Sequence, residues 1–432
     1  MEFYSLTNSA IKASFKDAVI KGIASDKGLF FPSEIKPLTT DFWENIENYS
    51  NTEIAYELIV QFVDHIDTKA LKIIIDETLS FDFPVVNVET NTYALELFHG
   101  PTMAFKDVGA RFMARCFQHF NKNTSTQKEV TVLVATSGDT GGAVANGFLD
   151  VKGVNVVILY PKGKVSDIQE KQLTTLGKNI TALEVDGVFD DCQDMVKTAF
   201  LDTDITDNMQ LTSANSINIA RWLPQMFYFA FAYKELKKHN KEIIFSVPSG
   251  NFGNICAAFM AQKLGLPVKT IIAATNANDV VPTFLETGEY VPKKSVQTIS
   301  NAMDVGNPSN FIRIQAIFNN NFKLLKTHLK SYRFTDYETR EMMKKLYSER
   351  KYIADPHGAV AYLGLQKVAL TKNQLGVFVE TAHPVKFLDV VAPLLNINID
   401  IPTQIHSVMD KEKVAINIKT YADLKALLLA RI

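Results

Sequence analysis

The amino-acid sequence predicts an α/β fold with two parallel-sheet lobes and a mainly helical N-terminal segment. Short apolar, β-branched runs alternate with amphipathic helical stretches in two series, over residues 129–186 and 243–275. Continuous apolar strands separated by helices are typical of parallel sheets that are covered on both faces. A helical stretch rich in aromatic residues, 222–233, separates the two series. We therefore expect two lobes with a cleft between them.

The two series predict individual strands and helices. In the first series the predicted strands are 130–135, 154–159 and 180–185, and the predicted helices are 141–149, 166–176 and 190–201. In the second series and after it, the predicted strands are 243–247, 268–274 and 376–380, and the predicted helices are 254–264 and 385–395. Ligands of open α/β sheets bind beyond the carboxyl ends of the strands, so the loops that follow these strands are the candidate site.

The N-terminal part of the chain does not follow this alternation. Residues 1–80 have a helical pattern, and residues 51–62 repeat apolar side chains at spacings of three and four. Residues 319–352 are charged and helical in pattern, which predicts a surface excursion. The predicted units are a leading segment of residues 1–80, a large α/β lobe of residues 81–110 and 225–432, and a smaller lobe of residues 111–224.

Composition excludes several classes of protein. The chain has 432 residues, 47% of them apolar and 21% charged, with a net charge of −2. This balance argues against nucleic acid and anionic membrane surfaces as partners. The three cysteines, far apart in the chain, indicate neither a disulfide framework nor a zinc site. The start of the chain lacks a signal peptide, and no apolar run reaches membrane-spanning length, so we expect a cytoplasmic enzyme or binding protein.

One lysine lies where a turn is expected to become a helix. The segment 99–107 reads HGPTMAFKD, so Lys106 follows a Gly-Pro turn and a run of small or apolar residues. Desolvation lowers the pKa of a lysine and makes its amine a nucleophile, as a Schiff base requires. On this segment alone, an ordinary lysine extending from a helix surface is the favoured interpretation.

Two polar loops that join a strand to a helix are candidate anion sites. The first reads TSGDTGG over residues 136–142, and the second reads PSGNFGN over residues 248–254. Free backbone N–H groups at a helix start favour an anion, and glycines allow its close approach. The second loop lacks the sequence of a nucleotide-binding P-loop, so a compact phosphate monoester suits it better. Simple helix capping or a tight turn is the alternative for each loop.

Two further loops carry polar residues. The segment 213–221 reads SANSINIAR, which places Asn215 and Ser216 near a helix start and Arg221 within reach of the same anion. An arginine more often pairs with a surface acid, and that alternative stays open. The segment 380–384 reads ETAHP, in which Thr381 either bonds a ring nitrogen or caps the next helix. One lysine with more than one phosphate-type loop on α/β lobes favours pyridoxal phosphate as cofactor.

These motifs resemble those of the threonine synthases, which are pyridoxal-phosphate enzymes of fold type II, the tryptophan-synthase-β-like fold. The resemblance covers essentially the whole chain. The segments SFKDAV at 14–19 and DKGLFFP at 26–32 are similar to that family's N-terminal domain, and HGPTMAFKD is similar to its cofactor-lysine signature. The resemblance implies conversion of O-phospho-L-homoserine and water to L-threonine and phosphate, by γ-elimination and β-addition of water. The resemblance further implies that the chain is a carbon–oxygen lyase of threonine biosynthesis. It also implies that the large lobe is the domain that binds pyridoxal phosphate.

The resemblance also implies roles for individual residues. Lys106 would carry the cofactor and then shuttle protons. Cofactor binding is assigned to Lys106, Asp139, Ser249, Gly250, Asn251, Phe252, Gly253, Asn254 and Thr381. The substrate carboxylate is assigned to Thr136, Ser137 and Thr140, and the substrate phosphate to Asn215, Ser216 and Arg221, with Lys162 and Lys164 as weaker candidates. No metal is expected.

Two alternatives remain at this stage. Another fold type II enzyme, such as a threonine or serine dehydratase, would need a pocket for a small hydroxyl group. A catalytically silent two-lobed binding protein would have the same fold. We assign His99, His357 and His383 to structural hydrogen bonds beside the site, and we expect a monomer or a homodimer.

Overall fold

The computed structural model describes residues 1–122 and 129–431. The strands, numbered in chain order, are β1 (Phe3–Ser5), β2 (Lys12–Ala13), β3 (Phe30–Pro32), β4 (Val85–Glu89), β5 (Thr92–Glu96), β6 (Val130–Ala135), β7 (Val154–Pro161), β8 (Ile180–Val185), β9 (Gln210–Ser213), β10 (Glu242–Pro248), β11 (Val268–Thr275), β12 (Leu329–Arg333), β13 (Gln374–Glu380) and β14 (Ile416–Ile418).

The α-helices are α1 (Phe15–Lys21), α2 (Thr40–Glu44), α3 (Asn51–Ile59), α4 (Thr68–Thr78), α5 (Lys106–Lys122), α6 (Asp139–Phe148), α7 (Asp167–Thr174), α8 (Phe189–Ala199), α9 (Thr203–Thr206), α10 (Ile219–Trp222), α11 (Met226–Leu236), α12 (Gly253–Lys263), α13 (Val280–Thr287), α14 (Phe311–Ile317), α15 (Phe322–His328), α16 (Asp336–Arg350), α17 (Pro356–Gln366), α18 (Leu388–Leu395), α19 (Thr403–Met409) and α20 (Tyr421–Leu429). Short 3-10 helices are formed by Ile46–Asn48, Val60–Phe62, Leu223–Gln225, Lys237–His239, Asn301–Met303 and Pro384–Phe387.

Two mainly parallel sheets confirm the predicted α/β fold. The larger sheet has the strand order β12-β11-β10-β13-β5-β4, and its only antiparallel pair among the described residues is β4 with β5. The smaller sheet is parallel throughout, with the order β14-β8-β7-β6-β9. Every residue of β6 is buried, as a central strand covered on both faces requires.

The N-terminal segment is helical in large part, but it also contains a small sheet that the sequence pattern did not predict. Strand β1 pairs antiparallel with both β2 and β3. These strands are only two or three residues long, too short to show an alternating pattern. The segment is joined to the lobes by hydrogen bonds, among them Asn218 Nδ2 to the carbonyl of Val19 in α1 (2.8 Å).

Two C-terminal elements differ from the prediction. Residues 319–352 were expected to be a helical excursion, yet β12 lies among them and adds an edge strand to the larger sheet. Residues 225–432 were assigned to the large lobe, yet β14 pairs with β8 in the smaller sheet. The predicted lobe boundary between residues 110 and 111 falls inside α5, which continues without a break to Lys122.

The aromatic-rich stretch between the two series lies at the centre of the molecule. It forms α10, a 3-10 turn and α11, and Trp222, Phe227 and Tyr228 are fully buried there. Arg221 lies on the same α10 and is also buried, so the core fixes a cationic side chain. Within the described residues, none of the helices combines the length and the apolar character needed to cross a membrane.

Candidate active site

A cavity of about 310 Å³ lies at the carboxyl ends of strands from both large sheets. Its wall includes residues that follow β6, β9, β10 and β13 directly in the chain. Parallel strands bring such loops to one edge of each sheet, which is why distant segments meet here. Every predicted site residue lines this cavity except Ser249 and the weaker candidates Lys162 and Lys164.

Lys106 is held at the N-terminus of α5 by contacts with the end of β13. The backbone N–H of Phe105 donates to the carbonyl of Thr381 (2.9 Å), and that of His383 donates to the carbonyl of Met103 (3.1 Å). Met103 has a left-handed backbone conformation with φ of 54°. These contacts set the backbone around the lysine beside Thr381.

The surroundings of Lys106 favour its neutral amine. Its side chain is 17% exposed. Burial lowers the pKa of Lys106, the charges of Lys386 and Arg221 lower it further, and the carboxylate of Asp139 opposes them. Lys106 Nζ lies 4.0 Å from Asp139 Oδ2. A lysine with a lowered pKa has a larger fraction of neutral amine, which is the nucleophilic form.

Asp139 is the first residue of α6, and three side chains surround its carboxylate. Oδ1 lies 2.6 Å from Lys386 Nζ and accepts a hydrogen bond from Gln169 Nε2 (3.0 Å). Burial opposes ionisation, but the charges of Lys386 and Lys106 outweigh it and hold the pKa of Asp139 well below its usual range. Asp139 is therefore ionised, as a carboxylate.

The loop after β10 leads into the N-terminus of α12. Phe252, the residue before α12, has a φ of 61°, and the first N–H groups of α12 have no acceptor within the helix. A Cβ on Gly250 would lie 2.6 Å from Met303 Cα, so this glycine permits contact with the segment 301–303. Ser249 differs from its expected role, because its N–H donates to Ala274 and its hydroxyl to Val247, and it is not part of the cavity wall.

The hydroxyl of Thr136 shapes the loop after β6. Its Oγ1 accepts hydrogen bonds from the N–H groups of Gly138 (3.0 Å) and Gly141 (2.8 Å). Gly138 has a φ of 135°, which an L side chain rarely adopts. Ser137 and Thr140 lie in the cavity wall beside Thr136. The loop thus presents several hydroxyl groups on one side of Lys106.

Asn215, Ser216 and Arg221 form a neighbouring part of the wall, where Asn215 Nδ2 donates to the carbonyl of Ala135 at the end of β6 (3.1 Å). Ser216 Oγ accepts from Asn251 Nδ2 (2.8 Å), which joins the predicted substrate loop to the predicted cofactor loop. Arg221 is buried, donates through Nη1 to the carbonyl of Ala214, and has an Nε with no partner among the described residues. Burial lowers the pKa of Arg221 to about 10, so the guanidinium stays charged at neutral pH.

The three histidines near the site have different surroundings. His99 bonds to Glu96 (2.8 Å), and His383 Nδ1 accepts from the N–H of Val385 (3.1 Å). Both are structural hydrogen bonds. His357 lies in the cavity wall, its Nδ1 is 2.5 Å from Asp355 Oδ2, and its Nε2 has no partner in the described part of the chain.

The sequence analysis missed residues of two kinds, a segment of the wall and a lysine that lies outside it. The first is a set of residues within 293–309, among them Lys293, Lys294 and Ser309. Its richness in Asn, Ser and Gly was a usable signal. The second is Lys386, which contacts Asp139 from outside the wall and lies in a stretch that reads as an ordinary helix. Lys162 and Lys164, the weaker phosphate candidates, are not in the wall.

The residues present fit pyridoxal phosphate. A desolvated lysine amine, a helix N-terminus for a phosphate, and the Thr381 hydroxyl all face one cavity. Arg221 adds to the wall a charged guanidinium without a carboxylate partner among the described residues, so it can receive an anion.

Comparison with known proteins agrees with this fit. The family model described as "Pyridoxal-phosphate dependent enzyme" matches residues 84–379, and that described as "Threonine synthase N terminus" matches residues 2–79. The chain is 41% identical to the threonine synthase of Buchnera aphidicola subsp. Acyrthosiphon pisum over 100% of both chains, and 42% identical to that of Escherichia coli over 94% of both.

Solved structures show the same relationship. The crystal structure of Escherichia coli threonine synthase has a TM-score of 0.94 and 40% identity, and covers 100% of both chains. A pyridoxal-phosphate-bound threonine synthase from Brucella melitensis has a TM-score of 0.92 and 30% identity over 100% of this chain and 99% of that one. A tomato threonine deaminase, at 17% identity and a TM-score of 0.54 over 77% of this chain and 95% of its own, shares the fold alone. The chain belongs to the threonine synthase family of pyridoxal-phosphate-dependent enzymes.

Proposed function

We propose that the chain converts O-phospho-L-homoserine and water to L-threonine and phosphate, with pyridoxal phosphate bound through Lys106. The observation that carries this proposal is a charged, buried Arg221 in the same cavity as the Lys106 amine, without a carboxylate partner among the described residues. A fixed guanidinium suits a phosphate ester. A dehydratase would need only a pocket for a hydroxyl group.

The cofactor is assigned to residues on three segments. Lys106 would hold it covalently, and the backbone from Gly250 to Asn254, which leads into α12, would hold its phosphate. Thr381 would face the pyridine nitrogen, and Asp139 would lie near the phenolic oxygen. When bound, the cofactor supplies an electron sink for the electron pair released at the α carbon of the substrate. A hydroxyl partner such as Thr381 leaves the pyridine nitrogen less protonated than a carboxylate would.

The substrate carboxylate is assigned to the loop after β6. Because Thr136 Oγ1 already accepts two backbone N–H groups, its own hydroxyl proton is available for a carboxylate oxygen. Ser137 and Thr140 add two further hydroxyl donors in the same wall. Hydrogen bonds to an ionised acceptor are the stronger kind, so this loop can fix the orientation of the α carbon.

The substrate phosphate is assigned to Asn215, Ser216 and Arg221. Ser216 Oγ accepts from Asn251 and from Asn310 Nδ2 (3.2 Å), so its proton is free to donate to a phosphate oxygen. Arg221 offers the positive charge of its guanidinium from the cavity wall. These donors hold the leaving group at the γ carbon while the reaction proceeds at the other end of the substrate.

Lys106 is assigned the proton transfers. Its lowered pKa raises the fraction of neutral amine, which accepts the α proton. A β proton is then removed, and the electron pair left at the β carbon expels phosphate from the γ carbon. A proton is added at the γ carbon, and water adds as hydroxide at the β carbon and as a proton at the α carbon. The same amine is placed to return protons, since it starts the rigid helix α5.

The test uses the purified full chain supplied with pyridoxal phosphate. O-phospho-L-homoserine should yield phosphate and threonine in equal amounts, and borohydride reduction should leave a cofactor adduct on the peptide that contains Lys106. Release of ammonia from serine or threonine at a higher kcat/KM would favour the dehydratase. An adduct without any turnover, or no adduct at all, would favour the silent binding protein.

We also propose a cytoplasmic location and a monomeric or homodimeric state. The three cysteines are free and buried, which suits a reducing compartment. Light scattering on the purified chain measures the oligomeric state, and a trimer or larger assembly would contradict this proposal.

A further inference from the structure

Lys386 is a fully buried lysine that the proposed function does not use. It lies in the 3-10 helix Pro384–Phe387, directly after Thr381 and His383. Its Nζ contacts Asp139 Oδ1 at 2.6 Å and donates to the carbonyl of Thr102 at 2.9 Å. A buried ammonium is costly unless it is paired, so these two contacts fix its position.

The ion pair between Lys386 and Asp139 joins the two large sheets. Asp139 begins α6 after β6 of the smaller sheet, whereas Lys386 follows β13 of the larger sheet. A second contact runs beside it, because Gln172 Nε2 in α7 donates to the same Thr102 carbonyl (3.1 Å). The pair therefore links the two lobes, with Asp139 in the cavity wall and Lys386 behind it.

The two oxygens of Asp139 have different partners. Oδ1 is occupied by Lys386 and by Gln169 Nε2, whereas Oδ2 is the oxygen nearest to Lys106, at 4.0 Å. A distance of 4.0 Å is too long for a hydrogen bond. Asp139 thus has its close cation in Lys386, and the Lys106 amine is near the carboxylate without being bonded to it.

We propose that Lys386 is a positioning residue that serves as the permanent counterion of Asp139 and thereby sets the proton affinity of the Lys106 nitrogen. The inference rests on the proposed role of Lys106 in holding the cofactor. A purely structural ion pair would join the lobes equally well, but it would not govern protonation at Lys106. Without Lys386, the carboxylate has Lys106 as its remaining close cation, and a protonated Lys106 nitrogen becomes more stable.

The test is a pH titration of the visible absorption band of the cofactor-loaded full chain. Replacing the lysine by a neutral side chain of similar length, Lys386→Met, should raise the pH midpoint of that band by about one unit or more, since a like charge is lost and a carboxylate is released. Lys386→Gln keeps a hydrogen-bond donor for Thr102 and should give the same upward shift if the methionine variant fails to fold. Lys386→Arg keeps the charge and should leave the midpoint close to that of the unchanged chain.

Lys413→Met is the matched control. Lys413 pairs with Glu170 (2.7 Å) and Glu184 (2.5 Å) in the smaller lobe and is not part of the cavity wall, so its loss should leave the midpoint unchanged. Folded, cofactor-loaded Lys386→Met or Lys386→Gln with an unmoved midpoint would overturn the role of Lys386. Absence of a borohydride-stable adduct at Lys106 in the unchanged chain would instead overturn the proposed role of Lys106.

Discussion

Arg221 shows how a single buried charge can indicate a ligand. The side chain is 2% exposed, and only its contact with the Ala214 carbonyl occupies the guanidinium among the described residues. Burying a cation without a carboxylate is unfavourable unless a ligand completes the site. The sequence indicated Arg221 by its position after Asn215 and Ser216, but a surface ion pair was the open alternative, and burial decides against it.

Replacing the guanidinium of Arg221 by the ammonium of a lysine tests whether Arg221 binds the substrate phosphate. We expect Arg221→Lys to raise KM for O-phospho-L-homoserine roughly tenfold to a hundredfold, because hydrogen bonds to a charged group contribute about 1.5–3 kcal/mol. Steady-state kinetics measure this change. Arg111→Lys is the control, since Arg111 bonds to Glu77 and Ser80 and lies outside the cavity wall. Equal KM values for both variants would show that Arg221 does not hold the phosphate.

His383 links the site to the pH dependence of stability. Burial, aided by the nearby His99, lowers the pKa of His383 from 6.5 to about 4. The folded chain therefore keeps this ring neutral, and the unfolded chain gains a proton more readily. The stability that depends on neutral His383 is fully present above pH 6.5 and is lost as the pH falls toward 4. The free energy of unfolding decreases by up to about 3 kcal/mol over this range.

The variant His383→Asn removes the titrating ring and keeps an acceptor for the Val385 N–H. Between pH 7 and pH 4.5, the urea midpoint of the unchanged chain should fall further than that of the variant. Measuring the urea midpoint of both chains at both pH values isolates the contribution of His383, because the other titrating groups are the same. Parallel losses in the two chains would contradict a neutral His383.

At the scale of elements, close helix contacts place the site residues. A Cβ on Gly109 of α5 would lie 2.3 Å from the carbonyl oxygen of Arg221 on α10. The two helices carry Lys106 and Arg221, so their contact fixes the distance between the amine and the predicted phosphate site. Glycine is required here for space rather than for its backbone conformation.

We expect Gly109→Ala to lower the free energy of unfolding by about 1–3 kcal/mol, because overpacking displaces one helix from the other. Cofactor loading should fall and KM for O-phospho-L-homoserine should rise, since both Lys106 and Arg221 move. Gly142→Ala in α6 is the control, as its Cβ would meet Gln172 Cβ at 3.3 Å and needs a smaller adjustment. Thermal unfolding compares the two variants. If Gly109→Ala loses no more stability than Gly142→Ala, the α5–α10 contact accommodates an added methyl group.

The elements predicted from sequence are those whose pattern is set by burial on both faces. Strands 130–135 and 180–185 were predicted to the residue because they are mainly apolar runs rich in β-branched residues. Strand β12 was missed because it is an edge strand reading LKSYR within a charged stretch. The cavity segment within 293–309 was missed because it is held by local polar contacts, such as Asp304 with Thr298, which leave no periodic pattern.

At the scale of the whole molecule, the N-terminal segment is part of the structure that supports the site. Arg313 on α14 is fully buried and donates to the carbonyls of Phe30 (3.0 Å) and Ile217 (2.6 Å). It also lies 4.8 Å from the ring of Trp222. One side chain thus ties the N-terminal sheet to the loop that carries Ser216 and to the central helices. The sequence could not show this, since the three partners are far apart in the chain.

Arg313→Met should therefore destabilise the whole chain rather than a single loop. Losing charged hydrogen bonds to Phe30 and Ile217 should lower the free energy of unfolding by about 3 kcal/mol or more. Because the loop 215–218 is then less well held, the cofactor-loaded chain should also lose affinity for O-phospho-L-homoserine. Lys263→Met, which removes a cation 5.3 Å from the Phe318 ring, is the control and should melt near the unchanged chain. If Arg313→Met melts like this control, the N-terminal segment is held by its apolar contacts alone, and the loop that carries Ser216 does not depend on it.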